Sequence, residues 1–296
     1  MDIFNSKCLK LDLKDKRYQV PKNIIGIDIG QTLTKCAYVD NDELILLLKP
    51  TTEKNDDIVN EIKISEKIFN TIHFTGGKAY NVYKEYDKEY DCSLLDEFKA
   101  NICGIDFLYY LGKKNEPLDC LVVSIGTGTS IVLKRNIIQH LGGSAMGGGM
   151  FMAIVKLLYG LDDYNTIMNL ANKGNRYNVD LKVSDIYAED DSRIKDYFRT
   201  FTAASLGKIT AISNIGSLKK EDVIQSLLSI IGENIGLLAI LFAEIHEITE
   251  IIFCGGSLVN NTILKNLLKL MAKSRMKKPI FLKNSEFAGA VGALLS

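Results

Sequence analysis

Two short patterns occur twice in this chain, in the same order, and that repetition limits the folds open to it more than any other feature. DIGQTLTK (28–35) and SIGTGTSI (124–131) each set a glycine and then small hydroxyl residues between two strand-like runs. IHFTGG (72–77) and IIFCGG (251–256) each end an apolar run in a glycine pair. One echo would carry little, because strand–glycine–turn is common; two in matching order point to a duplicated unit. The polar stretch Lys113–Pro117 is the nearest break between the copies. The expectation is an N-terminal lobe over 1–117, with a leader at 1–23, and a C-terminal lobe over 118–296. The closing helix at 286–296 is a candidate to pack back on the first lobe.

The coarse pattern within each copy alternates strands and helices. Ile24–Ile29 is a continuous apolar run of strand length, and 33–39 and 43–49 continue it as a meander turned at Asp40 and Asn41. A polar periodic stretch predicts a helix at 53–69, and helical signals return over 93–111. The second series has strands near 118–126, 129–134 and 136–141, helices over 150–172 and 219–247, a strand at 251–256 and a helix at 257–273. The fold class is therefore α/β: two duplicated lobes, each a mixed sheet flanked by helices, with a cleft between them. At 296 residues the chain is long enough to bury roughly three quarters of its unfolded surface.

Charge and composition exclude several classes. The 36 basic residues balance 36 acidic ones, so the chain lacks the basic stripe that a nucleic-acid binder needs, or that an anionic membrane surface would attract. The longest apolar stretch, IGLLAILFA (235–243), is shorter than the ~20 residues of a spanning helix. Six scattered cysteines form no CxxC, and the N-terminal residues contain no signal-like apolar run. A cytoplasmic protein with reduced thiols is expected, with no nucleic-acid or membrane partner.

The glycine-rich turns carry the candidate chemistry. Gly147, Gly148 and Gly149 stand just before a helical pattern, where uncovered N–H groups can hold an anion; a hinge or tight turn is the alternative. In DIGQTLTK, Gly30, Gln31 and Thr32 offer N–H groups and a hydroxyl to phosphate oxygens. Lys35 could reach a transferring phosphoryl group, and Asp28 could orient Mg²⁺-bound water. An ordinary hairpin with a surface lysine is the competing explanation. GxxxxGK[ST] is absent, and the first turn lacks GxGxxG, which sets aside a P-loop and a dinucleotide site.

With FTGGKAY, LDEFKA, GGSAMGGGMF, NVDLKVSDIY and FAGAVGALL added in order, the chain resembles the type II pantothenate kinases of the actin-like sugar-kinase superfamily, from about Ile24 to Leu295. The resemblance implies a two-lobed, homodimeric enzyme that uses ATP and Mg²⁺ to phosphorylate pantothenate, the first step towards coenzyme A. It places the nucleotide phosphates against Asp28, Gly30, Gln31, Thr32, Leu33 and Lys35, with Gln31 in place of a second glycine. It adds Gly126, Thr127, Gly128 and the Gly147–Gly149 triplet, with Tyr164 and Ser257 at the nucleotide's far end. Thr127 and Ser130 match hydroxyls that bind pantothenate. Glu97 in LDEF matches the catalytic carboxylate, although an acid at a helix start is also what the macrodipole favours.

One position departs from the family. His140 stands where an arginine is usual in the substrate site, and a histidine carries charge only when protonated. The expectation is that the KM for pantothenate rises with pH, unless Arg135 or Arg176 meets the substrate carboxylate instead. Coenzyme A or an acyl-CoA is the feedback ligand the resemblance suggests. Two other readings stay open: a kinase of the same superfamily acting on another small alcohol such as an amino sugar, and a non-catalytic regulator that binds nucleotide or acyl-CoA.

Overall fold

The computed structural model describes residues 7–13, 19–51, 69, 71–113, 115, 117 and 119–296. The helix expected at 53–69 lies almost wholly outside the described residues. The first sheet contains β1 (Lys7–Asp12), β2 (Ile24–Ile29), β3 (Leu33–Asp40), β4 (Glu43–Pro50), β5 (Thr71–Thr75) and β6 (Asp91–Leu94), in the order β1-β4-β3-β2-β5-β6. The second contains β7 (Cys120–Ile125), β8 (Thr129–Lys134), β9 (Ile138–Ser144), β12 (Glu250–Cys254) and β13 (Lys278–Phe281), in the order β13-β12-β7-β8-β9.

Both sheets share one plan. An antiparallel meander, β2–β3–β4 or β7–β8–β9, is extended by two strands parallel to its first member, β5 and β6 or β12 and β13. The connection between the two added strands carries a helix in each copy, α1 (Ala79–Tyr86) and α6 (Thr262–Ser274). The echoed motifs fall at equivalent places, the hydroxyl turns between β2 and β3 and between β7 and β8, the glycine pairs after β5 and β12. The duplication inferred from sequence is a duplication of topology.

Among the described residues, two helices lie between the sheets: α2 (Glu97–Lys113) and α7 (Ala288–Leu295). Their apolar residues Ile102, Ile105, Ala290 and Val291 share one buried cluster with Leu44 and Leu46 of the first sheet and Val122, Val132 and Ile252 of the second. The helices meet backbone to backbone. A Cβ at Gly104 would fall 1.9 Å from the Ala288 carbonyl oxygen, and one at Gly292 would fall 1.6 Å from that of Ala100. The chain's end is thereby seated on the first sheet, where His73 Nδ1 donates to the Ala293 carbonyl at 2.8 Å.

Outside the second sheet lie α3 (Gly148–Tyr159), α4 (Tyr164–Lys173), α5 (Lys220–Ile245) and α6. The 26-residue α5 is apolar enough to cross a bilayer by length and composition, yet 61% of its most apolar window is buried inside the molecule, as in a core helix. Its outward side carries Leu237, Leu241 and Ile245, which are 50%, 44% and 71% exposed.

Several elements differ from the sequence reading. Residues 93 and 94 belong to β6 and not to a helix, because Asp96 stops the strand and caps α2 through Lys99 N–H at 2.9 Å. Part of the leader forms β1, an edge strand on β4. KPIF is β13, where Pro279 is tolerated because the strand lies at the sheet edge. A short hairpin pair, β10 (Leu181–Lys182) and β11 (Thr202–Ala204), sits within the excursion between α4 and α5.

Candidate active site

Asp28 and Lys35 face each other across β2 and β3, a register fixed by the tight turn between them. Lys35 Nζ donates to Asp28 Oδ2 at 2.9 Å, and the two side chains are 14% and 13% exposed. Two glycines leave room for the carboxylate. A Cβ at Gly76, whose φ is +96°, would fall 2.5 Å from Asp28 Oδ1, and one at Gly289, on the first turn of α7, would fall 2.9 Å from Oδ2. Within the turn, Gly30 N–H donates to the Leu33 carbonyl at 3.1 Å.

The second turn is held from behind. Gly126 N–H donates to Gly128 O at 2.8 Å. Gly148 N–H donates to Gly126 O at 2.8 Å and Gly149 N–H to Thr127 O at 3.0 Å. These two donors are committed to the loop, which corrects the expectation that they face an anion. The triplet instead allows close approach: a Cβ at Gly147 would fall 2.6 Å from the Thr127 carbonyl. Ser257 Oγ donates to Gly126 O at 2.9 Å, and the single Tyr164 hydroxyl proton is shared between the carbonyls of Val259 and Ser257 at 3.1 and 3.3 Å. Tyr164 is buried, which pushes its hydroxyl pKa up to about 12 and keeps it a donor. Ser257 braces the Gly126 loop from outside it, and Tyr164 in turn holds the segment that carries Ser257.

The two turns meet across the cleft, where Thr32 Oγ1 and Thr127 Oγ1 are hydrogen-bonded at 3.1 Å. Glu97 stands at the start of α2 and is open to solvent. Because Asp96 caps the helix, Glu97 is spared that task, and among the described residues its carboxylate accepts no hydrogen bond. Partial desolvation raises its pKa above the ordinary carboxylate range, Asp28 and Asp96 add to the shift, and Lys35 opposes it. Glu97 therefore responds to the charges of the Asp28–Lys35 pair. The next residue, Phe98, stacks on His140 with ring centroids 4.2 Å apart and planes 15° apart. Ser130 is half-buried on β8, paired with Ser124 and Gly143.

The two arginines weighed as alternatives to His140 are both engaged elsewhere. Arg135 bonds the His246 carbonyl and lies 3.3 Å from Asp119, while Arg176 is buried between Asp180 and Glu233. Sequence reasoning missed Gly76 and Gly289 as walls of the Asp28 site, although both lie in noted motifs. It also missed Phe98, whose role needs the packing of α2 against β9. A cavity of about 220 Å³ opens beside the Gly255–Ser257 loop, lined by Gly255, Leu258, Asn260, Lys265, Lys283 and Ser285.

Paired lobes of equal topology, with glycine–hydroxyl turns meeting beside an acid, define an ATPase or kinase of the actin-like class. Solved structures agree in fold. The activator of the 2-hydroxyisocaproyl-CoA dehydratase from Clostridium difficile, with bound ADPNP, matches with a TM-score of 0.60 at 15% identity, covering 92% of each chain. A ROK family glucokinase from Streptomyces griseus, in complex with glucose and AMPPNP, matches with a TM-score of 0.55 at 11% identity, over 91% of this chain and 97% of that one. The Fumble family model matches residues 42–296. Type II pantothenate kinases from Bacillus cereus strain AH820 and Oceanobacillus iheyensis are each 33% identical, over 93% and 92% of this chain and 97% and 98% of theirs. The chain belongs to the Fumble family, the type II pantothenate kinases.

Proposed function

We propose that the protein transfers the γ-phosphoryl group of ATP to the terminal hydroxyl of pantothenate, giving 4′-phosphopantothenate. The observation that carries the phosphoryl-transfer reading is Glu97, a carboxylate at the start of α2 whose raised pKa responds to Asp28 and Lys35 and which, among the described residues, accepts no hydrogen bond. Family membership supplies the acceptor alcohol. As the hydroxyl attacks phosphorus it must lose its proton, and Glu97 is the acceptor. The N–H groups of Gly30 and Gly126 are spent within their turns, so Gln31 and Thr32 on one side and Thr127 and Gly128 on the other cradle the phosphates, and Lys35 supplies positive charge toward the transferred group. Thr127 and Ser130 orient pantothenate, and the Phe98–His140 stack walls its carboxylate end. Tyr164 and Ser257 set the loop that receives the nucleoside, which extends toward the adjoining cavity.

Asp28 fits Mg²⁺ in the manner of phosphoryl-transfer sites, which use one or two carboxylates and let water and phosphate oxygens complete the octahedron. Its carboxylate is anchored by Lys35 and unobstructed by any Cβ at Gly76 or Gly289. The ion would neutralise charge on the β- and γ-phosphates. The lobe division at 117 and 118 belongs to this reading, as does a homodimer joined along the outward side of α5, in the cytoplasm. A coenzyme A or acyl-CoA feedback ligand would compete with ATP, since it shares the adenosine diphosphate portion.

The test is a coupled ADP-release assay with ATP and Mg²⁺, run with pantothenate and with N-acetylglucosamine. Turnover with pantothenate alone is the expected result. Turnover only with the amino sugar would transfer the protein to another acceptor, and ATP binding without turnover on either would leave a regulator.

A further inference from the structure

Thr51 follows the last residue of β4, holds the first phosphate turn by two hydrogen bonds and is itself held by a third. Its N–H donates to Thr32 O at 2.9 Å, and its Oγ1 donates to Gly30 O at 2.9 Å. The third contact joins Thr34 Oγ1 to Thr51 Oγ1 at 2.9 Å. A hydroxyl has one proton, and a carbonyl can only accept, so the Thr51 proton belongs to Gly30 and Thr34 is the donor in the third bond. Thr34 is buried at 6% exposure on β3, which gives that donor a fixed place.

The direction of these bonds matters. In a planar trans peptide the C=O and the following N–H point to opposite sides. Holding the Gly30 and Thr32 carbonyls therefore turns the N–H groups of Gln31 and Leu33 away from Thr51. A loop whose amides must face an anion cannot be left free to flip, because each misdirected peptide replaces a donor with a carbonyl oxygen. The opposing turn gains its rigidity differently, from Gly148, Gly149 and Ser257 behind it.

We propose that Thr51 is a positioning residue for the nucleotide phosphates: with Thr34 behind it, it fixes the peptide orientations of the Gly30–Thr32 turn. The proposal rests on the kinase reading for the identity of the anion.

The experiment compares the wild type with Thr51→Val, which keeps the shape and the backbone bond but loses both hydroxyl contacts, and with Thr51→Ser, which keeps them. Binding of a non-hydrolysable ATP analogue is measured by titration calorimetry, beside steady-state KM values for ATP and pantothenate. Thr51→Val should weaken analogue binding and raise the ATP KM by roughly tenfold, the scale of one lost hydrogen bond. The pantothenate KM should stay within about twofold, and Thr51→Ser should return the nucleotide values to near wild type. Thr34→Val, a strand substitution of equal shape, should shift nucleotide binding in the same direction by a smaller factor, and serves if Thr51→Val fails to fold.

Wild-type analogue affinity in Thr51→Val, or an equal loss for ATP and pantothenate that serine does not rescue, would overturn the proposal. Calorimetry keeps it separate from the substrate reading. A wild type that binds the analogue but phosphorylates no pantothenate, with the Thr51→Val loss intact, would sink the substrate and leave Thr51 in place.

Discussion

Glu97 owes its position to its neighbour in sequence. Asp96 satisfies the start of α2, so the adjacent acid can face the cleft without a structural task, at a raised pKa. Glu97→Gln should preserve ATP binding and lower kcat by roughly 10²–10⁴, the range for acid–base groups. The sign of the pH dependence follows from the same shift. A protonated carboxyl cannot accept the substrate proton, so kcat/KM should fall as pH drops through the raised pKa, at a pH above the ordinary carboxylate value. That acid limb should vanish in Glu97→Gln, and wild-type-like turnover in the variant would remove Glu97 from the chemistry. His140→Ala removes the ring stacked on Phe98, and it should raise the KM for pantothenate while the KM for ATP changes little. An unchanged pantothenate KM would place the substrate carboxylate elsewhere.

At the scale of elements, α7 links the end of the chain to the Asp28 carboxylate. Gly289 is the point of contact, since a Cβ there would fall 2.9 Å from Asp28 Cγ and Oδ2. Gly289→Ala should push Asp28 off its pairing with Lys35, lower kcat by about tenfold or more and raise the Mg²⁺ concentration needed for half-maximal rate. Relief of such a clash costs typically 1–3 kcal/mol, and a thermal melt alongside the Mg²⁺ titration separates lost stability from lost function. An unchanged Mg²⁺ requirement would show that α7 supports the fold and not the site. The pairing of Gly104 and Gly292 with carbonyls across the α2–α7 crossing explains why this helix is so rich in glycine and alanine.

For the molecule as a whole, α5 presents a question that its burial only half answers. Most of the helix is core, yet Leu237, Leu241 and Ile245 recur every four residues on its outward side. Exposed apolar stripes of this kind mark interfaces, and a two-fold pairing is the commonest closed arrangement. Light scattering at micromolar concentration should give twice the chain mass of 33.0 kDa. Leu241→Glu should shift the protein toward the monomer, and a monomeric wild type would defeat the expectation.

Sequence determined the repeated architecture, because strand–turn chemistry is local. Glycine–hydroxyl turns and glycine pairs need particular backbone geometry wherever they occur, so their repetition located both lobes and both loops. It also marked Asp28, Lys35 and Glu97, whose residue types match the chemistry of phosphoryl transfer. What it left undecided depends on contacts far apart in the chain. Gly148 and Gly149 read as anion donors until folding gives their N–H groups to Gly126 and Thr127. Thr51 carries no local signal, since its partners at 30, 32 and 34 are reached only across the β3–β4 pairing. β1 and β13 escaped notice because an edge strand is defined by its neighbour more than by its own composition. Tertiary structure chose which donors face the cleft, because a backbone hydrogen bond can be given only once.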